Sequence, residues 1–332
     1  MITWSDVAAK VHQDDKDKHD RLIASSSLKM QEGSLLDIQK GESFGLTEHA
    51  TTQLCSRLDI PAKYYKTIAG QNNRLADQMV NHGLTMSYVE SSVNTRASDE
   101  LFLRLKGSKV RAVLSNRYNV FDNKDIAETV HSLTDGKFSH TIKTIAITDS
   151  SLWVKIICDD ISIPDPSAPG MDLRIGFTIG NSEIGSRQVT CNPFIFRKAC
   201  TNDAVLVNEH SVIQRHINTD NDLLRISLTK SMAYALNTAE SKLNTVLKTR
   251  EIRIETPEDV IKRLCSTNQY SKRFQDSAVL AYQVEPESTA WGVLNAFTRA
   301  AQKVEDTDKR IEIEQFAGNL MLQTDRYWTK YN

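Results

Sequence analysis

Apolar residues along this chain change their spacing twice, and the changes divide it into three regions: 1–85, 86–208 and 209–332. The first region is predicted to be mainly helical. Thr47 suits a helix N-cap with acidic Glu48 in the first turn. That helix should stop near Leu58-Asp59-Ile60, because Pro61 disfavours helix at the residue before it, and Pro61 itself suits the start of a second helix over 61–66. The tight joint fits a helix-turn-helix or an ordinary helical hairpin with Leu54, Leu58, Ile60 and Tyr64 in its core. The scarcity of basic residues favours the hairpin.

In the middle region the period drops to two. Leu101–Lys106 and Lys109–Leu114 read as strands around Gly107-Ser108, which suits a two-residue II′ turn because that turn wants glycine first. Further strands are predicted over His140–Ile147, Leu152–Ile157, Met171–Ile179 and Ser186–Cys191. The stretch Ile161–Gly170 holds Pro164, Pro166 and Pro169 and is expected to be an exposed loop.

Beyond 208 the helical spacing returns. Leu224, Leu228, Met232, Ala235, Ala239, Leu243 and Val246 predict one long amphipathic helix. Thr256-Pro257-Glu258-Asp259 opens another, and Ser288 or Thr289 caps a third through Trp291–Phe297. A last helix places Ile313, Phe316, Ala317, Leu320 and Met321 on one face, with Tyr327 and Trp328 docking behind it. The expected fold is α+β: a central antiparallel β-sheet flanked by N-terminal helices and a C-terminal helical region packed on the core.

Composition narrows the function classes. With 41 Lys+Arg against 42 Asp+Glu the chain is not globally basic, so any nucleic-acid binding must come from a local patch. No apolar run is long enough to span a membrane, and the N-terminus lacks the apolar core of a secretory signal. The five cysteines are scattered, with no Cys-x-x-Cys and no zinc spacing, which points to buried cytosolic thiols and a cytoplasmic protein without metal or cofactor. Phosphate-loop, dinucleotide, zinc-protease and nucleophile-elbow motifs are missing, which leans against an enzyme. The charged stretch Asp14–Asp20 lacks the glycine and distal glutamate of a calcium loop and is expected to be solvated and flexible.

The hairpin at 101–114 is the feature with most chemistry. In a regular register Lys106 faces Lys109 and Arg104 faces Arg111, so all four cations share one face opposite Leu101, Leu103, Leu105, Val110, Ala112 and Leu114. Like charges directly opposed destabilise a strand pair, a cost that folding alone does not require. Arg117 and Tyr118 follow, giving five basic residues and no acid between Leu101 and Tyr118. A nucleic-acid backbone would supply the missing anions, and Tyr118 could stack on a base. The competing reading is an edge hairpin that uses lysine against aggregation, or one paired with carboxylates from elsewhere in the fold. Looser sets are Arg187, Arg197 and Lys198 beside Phe194 and Phe196, where the rings belong in the core and the cations at the surface. Arg215-His216 could touch phosphate, and Trp291 with Asn295 fits helix packing.

Several segments together resemble the phage/plasmid-like protein family, domain of unknown function 932. They are Phe44–Ala50, Gln53-Leu54, Ile60–Tyr64, Arg111–Tyr118, Cys200-Thr201-Asn202, Arg215-His216, Trp291–Thr298 and Ala317-Gly318. They stand in the family's order from about residue 44 to 322, with Asp203 a departure where glycine is expected. The resemblance implies a bacterial mobile genetic element and a cytoplasmic protein; it assigns no catalytic residue. The expected function is nucleic-acid binding, most concretely single-stranded DNA binding or annealing in recombination or replication, by a protein that can form homo-oligomers. The alternative is a non-catalytic interaction or self-assembly module, for example one countering a host factor.

Overall fold

The computed structural model describes every residue except 94–98, 166, 201, 207–211, 215, 217–219 and 332. The chain runs α1 (Trp4–Asp15), β1 (Lys18–Ala24), β2 (Leu28–Gln31), β3 (Ser34–Asp37), β4 (Glu42–Leu46), α2 (Glu48–Arg57), α3 (Ala62–Gln71) and α4 (Asn73–Val93). The hairpin β5 (Glu100–Lys106) and β6 (Lys109–Ser115) follows, then α5 (Asn123–Thr134), β7 (His140–Ile147), β8 (Leu152–Pro164), β9 (Asp172–Asn181), β10 (Val189–Arg197), β11 (Asn202–Val205) and β12 (Val212–Gln214). After these come α6 (Asn221–Asn237), α7 (Ala239–Glu251), α8 (Pro257–Thr267), α9 (Lys272–Val284), α10 (Ala290–Ala301), α11 (Thr307–Met321) and α12 (Asp325–Thr329).

The fold is α+β, with the sheet divided in two. The first sheet has the order β1-β5-β6-β4-β3-β2, antiparallel except for the β4–β6 contact. One face packs on α2, α3 and α4 through Leu35, Phe44, Leu54, Val80, Leu103 and Leu105. Strands β1 to β4 lie in the region predicted to be mainly helical. Strands β2 to β4 are too short to show a period of two, and β1 is only half-buried, so its polar face and apolar face blur. The joint between α2 and α3 is a helical hairpin with Leu54 and Leu58 buried, but Tyr64 points out at 56% exposure and Tyr65 takes its place inside. Pro61 sits at the N-cap of α3.

The second sheet has the order β11-β10-β9-β8-β7, antiparallel throughout, with β12 continuing along the same edge of β10. Ile156, Phe177 and Ile179 on one face join Leu228, Leu243 and Phe297 in the main core beneath the C-terminal helices. The predicted long helix is two helices, α6 and α7, divided at Thr238. Leu224, Leu228, Met232, Ala235, Ala239, Leu243 and Val246 are all buried across the break, so their spacing stays in phase and hides it. Helices α5 and α9 lie where no element is predicted. Strand β8 runs on through Pro164, and Asp165 just beyond it is buried, so only part of the expected loop is exposed. Trp328 is fully buried at the chain's end, as its docking required.

Apolar contacts at two places help hold the halves together. Helix α1 packs on α5 and β7 through Val7, Val11, Ala127 and Ile142. The β9–β10 loop, 182–187, inserts against the face of β5–β6 that is turned away from the first core. There Ile184 meets Phe102, Ala112, Leu114 and Tyr118, and its carbonyl accepts from His49 Nε2 (3.0 Å) and Gln53 Nε2 (2.9 Å).

Helix α11 crosses β11 so closely that a Cβ on Gly318 would lie 2.0 Å from the Val205 carbonyl oxygen, against backbone that cannot step aside. Gly318→Ala should therefore destabilise by more than the ~1–3 kcal/mol of ordinary overpacking. Leu103→Ala, at a fully buried strand position, should cost ~2–5 kcal/mol, while Lys106→Ala at the exposed tip should cost less than about 0.5. Urea unfolding midpoints of the three variants check this ranking; a Leu103→Ala protein as stable as the parent would contradict the strand register.

Candidate nucleic-acid interface

The candidate cations all hang on the β5–β6 hairpin. Gly107 has φ +55° and Ser108 has no positive φ, which is the turn that glycine-first chemistry predicts. Lys106 pairs with Lys109 across it, also as predicted. The register then slips: Leu105 pairs with Val110 and Arg104 with Ala112, so Arg111 is the extra residue of a β-bulge and does not face Arg104. The bulge turns Val113 toward the first core and sends Ala112 and Leu114 to the face that receives Ile184.

On that face most of the positive charge meets carboxylates. Arg104, expected to be exposed, is 3% exposed. Its Nε donates to Asp20 (3.0 Å), its Nη2 to Asp122 (2.6 Å) and its Nη1 to the Glu183 carbonyl (2.9 Å). Lys106 reaches Asp14 at 3.1 Å. Arg111 donates to the Glu183 carboxylate at 3.0 Å, and Lys18 donates to the same group at 2.7 Å while also pairing with Asp14. The Asn123 N–H, in the first turn of α5, gives Glu183 a third donor at 3.0 Å. Burial alone would raise the Glu183 carboxyl, but Lys18, the Asn123 amide and Arg111 outweigh it and hold the group down at about 2. The segment Asp14–Asp20, expected to be solvated, supplies Asp14, Lys18 and Asp20 to this network.

Tyr118 is not available to a base. Its hydroxyl donates to the carbonyls of Ser182 (3.3 Å) and Glu183 (3.2 Å), and its ring stacks on His216 at 5.1 Å. Burial raises the phenol and pushes the His216 imidazole down to about 4, so both are neutral at pH 7. Arg215 lies outside the described residues. Lys109 and Arg117 are exposed, and among the described residues neither side chain makes an ion pair or a hydrogen bond.

Lys109 opens onto a cleft of about 400 Å³ between the hairpin tip, the first turn of α2 and the β7–β8 turn. Lys106, Arg111, His49, Thr148 and Ser150 line it, together with the carboxylates of Asp14, Glu48 and Asp149. Glu48 is engaged by Lys66 at 2.6 Å. The cleft is thus polar and mixed in charge, with Lys109 its uncommitted cation among the described residues. Thr148 and Ser150 were invisible as site residues in the sequence, since only the docking of one half on the other brings them to the hairpin, and His49 reaches it through the β4–β6 pairing.

The looser sets are structural. Arg187 pairs with Asp308 (3.2 Å) and lies over Trp153. Arg197, expected at the surface, is 2% exposed and bound by Asp165 and Glu285, while Phe194 is buried as expected. Trp291 and Asn295 are buried in helix packing. A second buried ionic cluster joins Lys155 to both Asp203 and Glu314, with Lys143 on Asp203 at 2.6 Å. Among the described residues no group of three His, Cys, Asp or Glu side chains is placed to hold a metal, and no helix is long and apolar enough to cross a membrane.

Comparison with known families gives a match to "Domain of unknown function (DUF932)" over residues 110–319, well over half the chain. No curated protein and no solved structure matches.

The depressed Glu183 pKa makes a sign-definite prediction. Its contribution to stability is present above the ordinary glutamate value of 4.5 and is lost as the pH falls from there through about 2. That shift corresponds to about 3 kcal/mol at neutral pH. Glu183→Gln should flatten the acid limb below pH 4.5 in equilibrium unfolding, leaving the His216 contribution, which fades between its usual value of 6.5 and about 4, in place. An unchanged acid limb would show that the network does not carry this linkage.

Proposed function

We propose, for a chain that belongs to the DUF932 family, that the cleft beside the hairpin tip binds the phosphate backbone of nucleic acid, most concretely single-stranded DNA. The observation that carries this reading is Lys109. It faces the like charge of Lys106 directly across the strand pair, has no anionic partner among the described residues, and opens onto a polar cleft with Arg111 and the first turn of α2. A phosphate there would relieve the Lys106–Lys109 repulsion and accept from the hydroxyl and imidazole groups around it. The setting we propose is recombination or replication of a mobile genetic element in the bacterial cytoplasm; support for that setting is the resemblance of the sequence segments alone.

The site is smaller than the hairpin predicts. Arg104 and Tyr118 are committed to the interior, and Lys106 and Arg111 already hold carboxylates, so phosphate contacts number about two rather than four. For a strand short enough to occupy the cleft alone, the slope of log K against log salt should then be roughly -1.4 rather than about -3. Affinity for a non-specific strand should lie in the range ~1–100 μM at low salt. Fluorescence anisotropy with labelled oligothymidylate measures both. Lys109→Gln should lower affinity several-fold with the fold intact, and folded parent protein that fails to bind at low salt would rule the reading out.

A second reading, a protein-docking or self-assembly module, is favoured by one surface. The C-terminal half of α4 exposes Met86 (52%), Val89 (45%) and Val93 (83%) at helical spacing on one face. Light scattering on the parent protein and on Met86→Ser/Val89→Ser separates the two readings, since only self-assembly through α4 predicts a mass that falls on substitution.

A further inference from the structure

Arg57 lies at the end of α2 and Arg117 just beyond the end of β6. Arg57 closes α2, and its Nε donates to the Val113 carbonyl at 3.2 Å, which pins the guanidinium to the free edge of β6. Its terminal nitrogens make no bond among the described residues. Arg117 sits in the turn after β6, closed by the Tyr118 N–H on the Ser115 carbonyl at 3.0 Å, and is exposed. The same scaffold holds both. Gln53, one turn before Arg57, accepts from the Val113 N–H at 2.9 Å. The Cβ position of Gly185 lies 3.7 Å from Gln53 and 3.8 Å from the ring of Tyr118, the neighbour of Arg117.

We infer that Arg57 and Arg117 form a second phosphate contact, so that the ligand of the cleft is a single strand several nucleotides long, laid along α2. This rests on the reading of the cleft given above. The two guanidiniums are electrostatically coupled: burial and the charge of Arg117 both lower the Arg57 pKa. Folding gains nothing from that juxtaposition, whereas a bidentate phosphodiester repays it.

The spacing suits a polymer. Helix α2 is ten residues long. Its two ends, the cleft and the arginine pair, are therefore about 15 Å apart. Between them the exposed Ser56 offers a hydroxyl, while that of Thr52 donates to the Glu48 carbonyl at 2.9 Å. Glu48 is the one acid in 47–58 and is held by Lys66, and there is none in 101–121. A strand of at least about four nucleotides spans that distance, within the site sizes of known single-strand binders. With the half-buried Tyr118 ring already stacked on His216, no aromatic platform among the described residues of 101–121 joins the track, so DNA and RNA of any sequence should bind alike.

The test compares a trinucleotide with an oligothymidylate of about 15 nucleotides, by anisotropy at low salt, on the whole protein. The longer strand should bind the parent at least ~10-fold tighter. Arg117→Gln should lose most of that advantage and reduce the salt slope by about 0.7, and Arg57→Gln/Arg117→Gln by about 1.4, with trinucleotide affinity unchanged. Because Arg57 also holds the β6 edge, the single Arg117→Gln variant carries the test if the double variant is unstable. Unchanged affinity and slope for the long strand in Arg117→Gln would overturn the track while Lys109-dependent binding leaves the cleft reading standing. Failure of the parent to bind either oligonucleotide would overturn both.

Discussion

Glu183 is a fully ionised carboxylate with almost no access to water, and the relative placement of the two sheets follows from what it demands. Its side chain is 2% exposed and takes donors from β1, β6 and the start of α5. An isolated buried ion costs several kcal/mol, so this position is tolerable only when all three donors arrive together. The surrounding network is balanced: Lys18, Arg104, Lys106 and Arg111 against Asp14, Asp20, Asp122 and Glu183. Neutrality lets it sit between two apolar cores. A hydrophobic interface of the same size could slide, but a set of directional, charge-matched bonds has one arrangement that leaves nothing unpaired. Positional uniqueness, more than net stability, is what this joint contributes.

The same device recurs on the second sheet. Lys155 on β8 is shared by Asp203 on β11 and Glu314 on α11. Burial raises the Glu314 carboxyl and the negative charge of Asp203 adds to it, while Lys155 pulls the other way. Gly318, one turn further along α11, is the backbone counterpart, since it permits the close approach that brings Glu314 within reach. Buried ionic joints, one between the halves and others on the second sheet where Arg197 also holds Asp165 and Glu285, thus locate elements that apolar packing alone would leave free to shift.

The class of the fold and most C-terminal elements were legible because long, regular apolar spacing survives in sequence; the α6–α7 break escaped because both halves bury the same phase. Strands β2 to β4 escaped for the opposite reason, being shorter than any detectable period, and β1 because both its faces are only half-buried. In the hairpin, turn chemistry and the Lys106–Lys109 pair were readable from Gly107-Ser108. The consecutive apolar residues Ala112, Val113 and Leu114 are the one local sign of the bulge, since a regular strand with one wet face would not need all three. What no local pattern carries is the destination of a charge. Arg104 and Lys109 look equivalent in sequence, yet one is the most committed cation of the hairpin and the other the least. The difference is made by Asp20 and Asp122, both distant in the chain or across a turn.

The Lys18–Glu183 bond spans 165 residues. At the pace of synthesis, roughly 5–20 residues per second, Lys18 leaves the ribosome some ten to thirty seconds before its partner exists. Strand β1 faces a similar delay, since its neighbour β5 begins at Glu100. The N-terminal segment therefore spends its early life with its edge open until β5 is made, and Lys18 meets its Glu183 partner only when the β9–β10 loop arrives. Assembly of this joint is timed by a contact across 165 residues: the half made first is fixed to its partner only by the half made last.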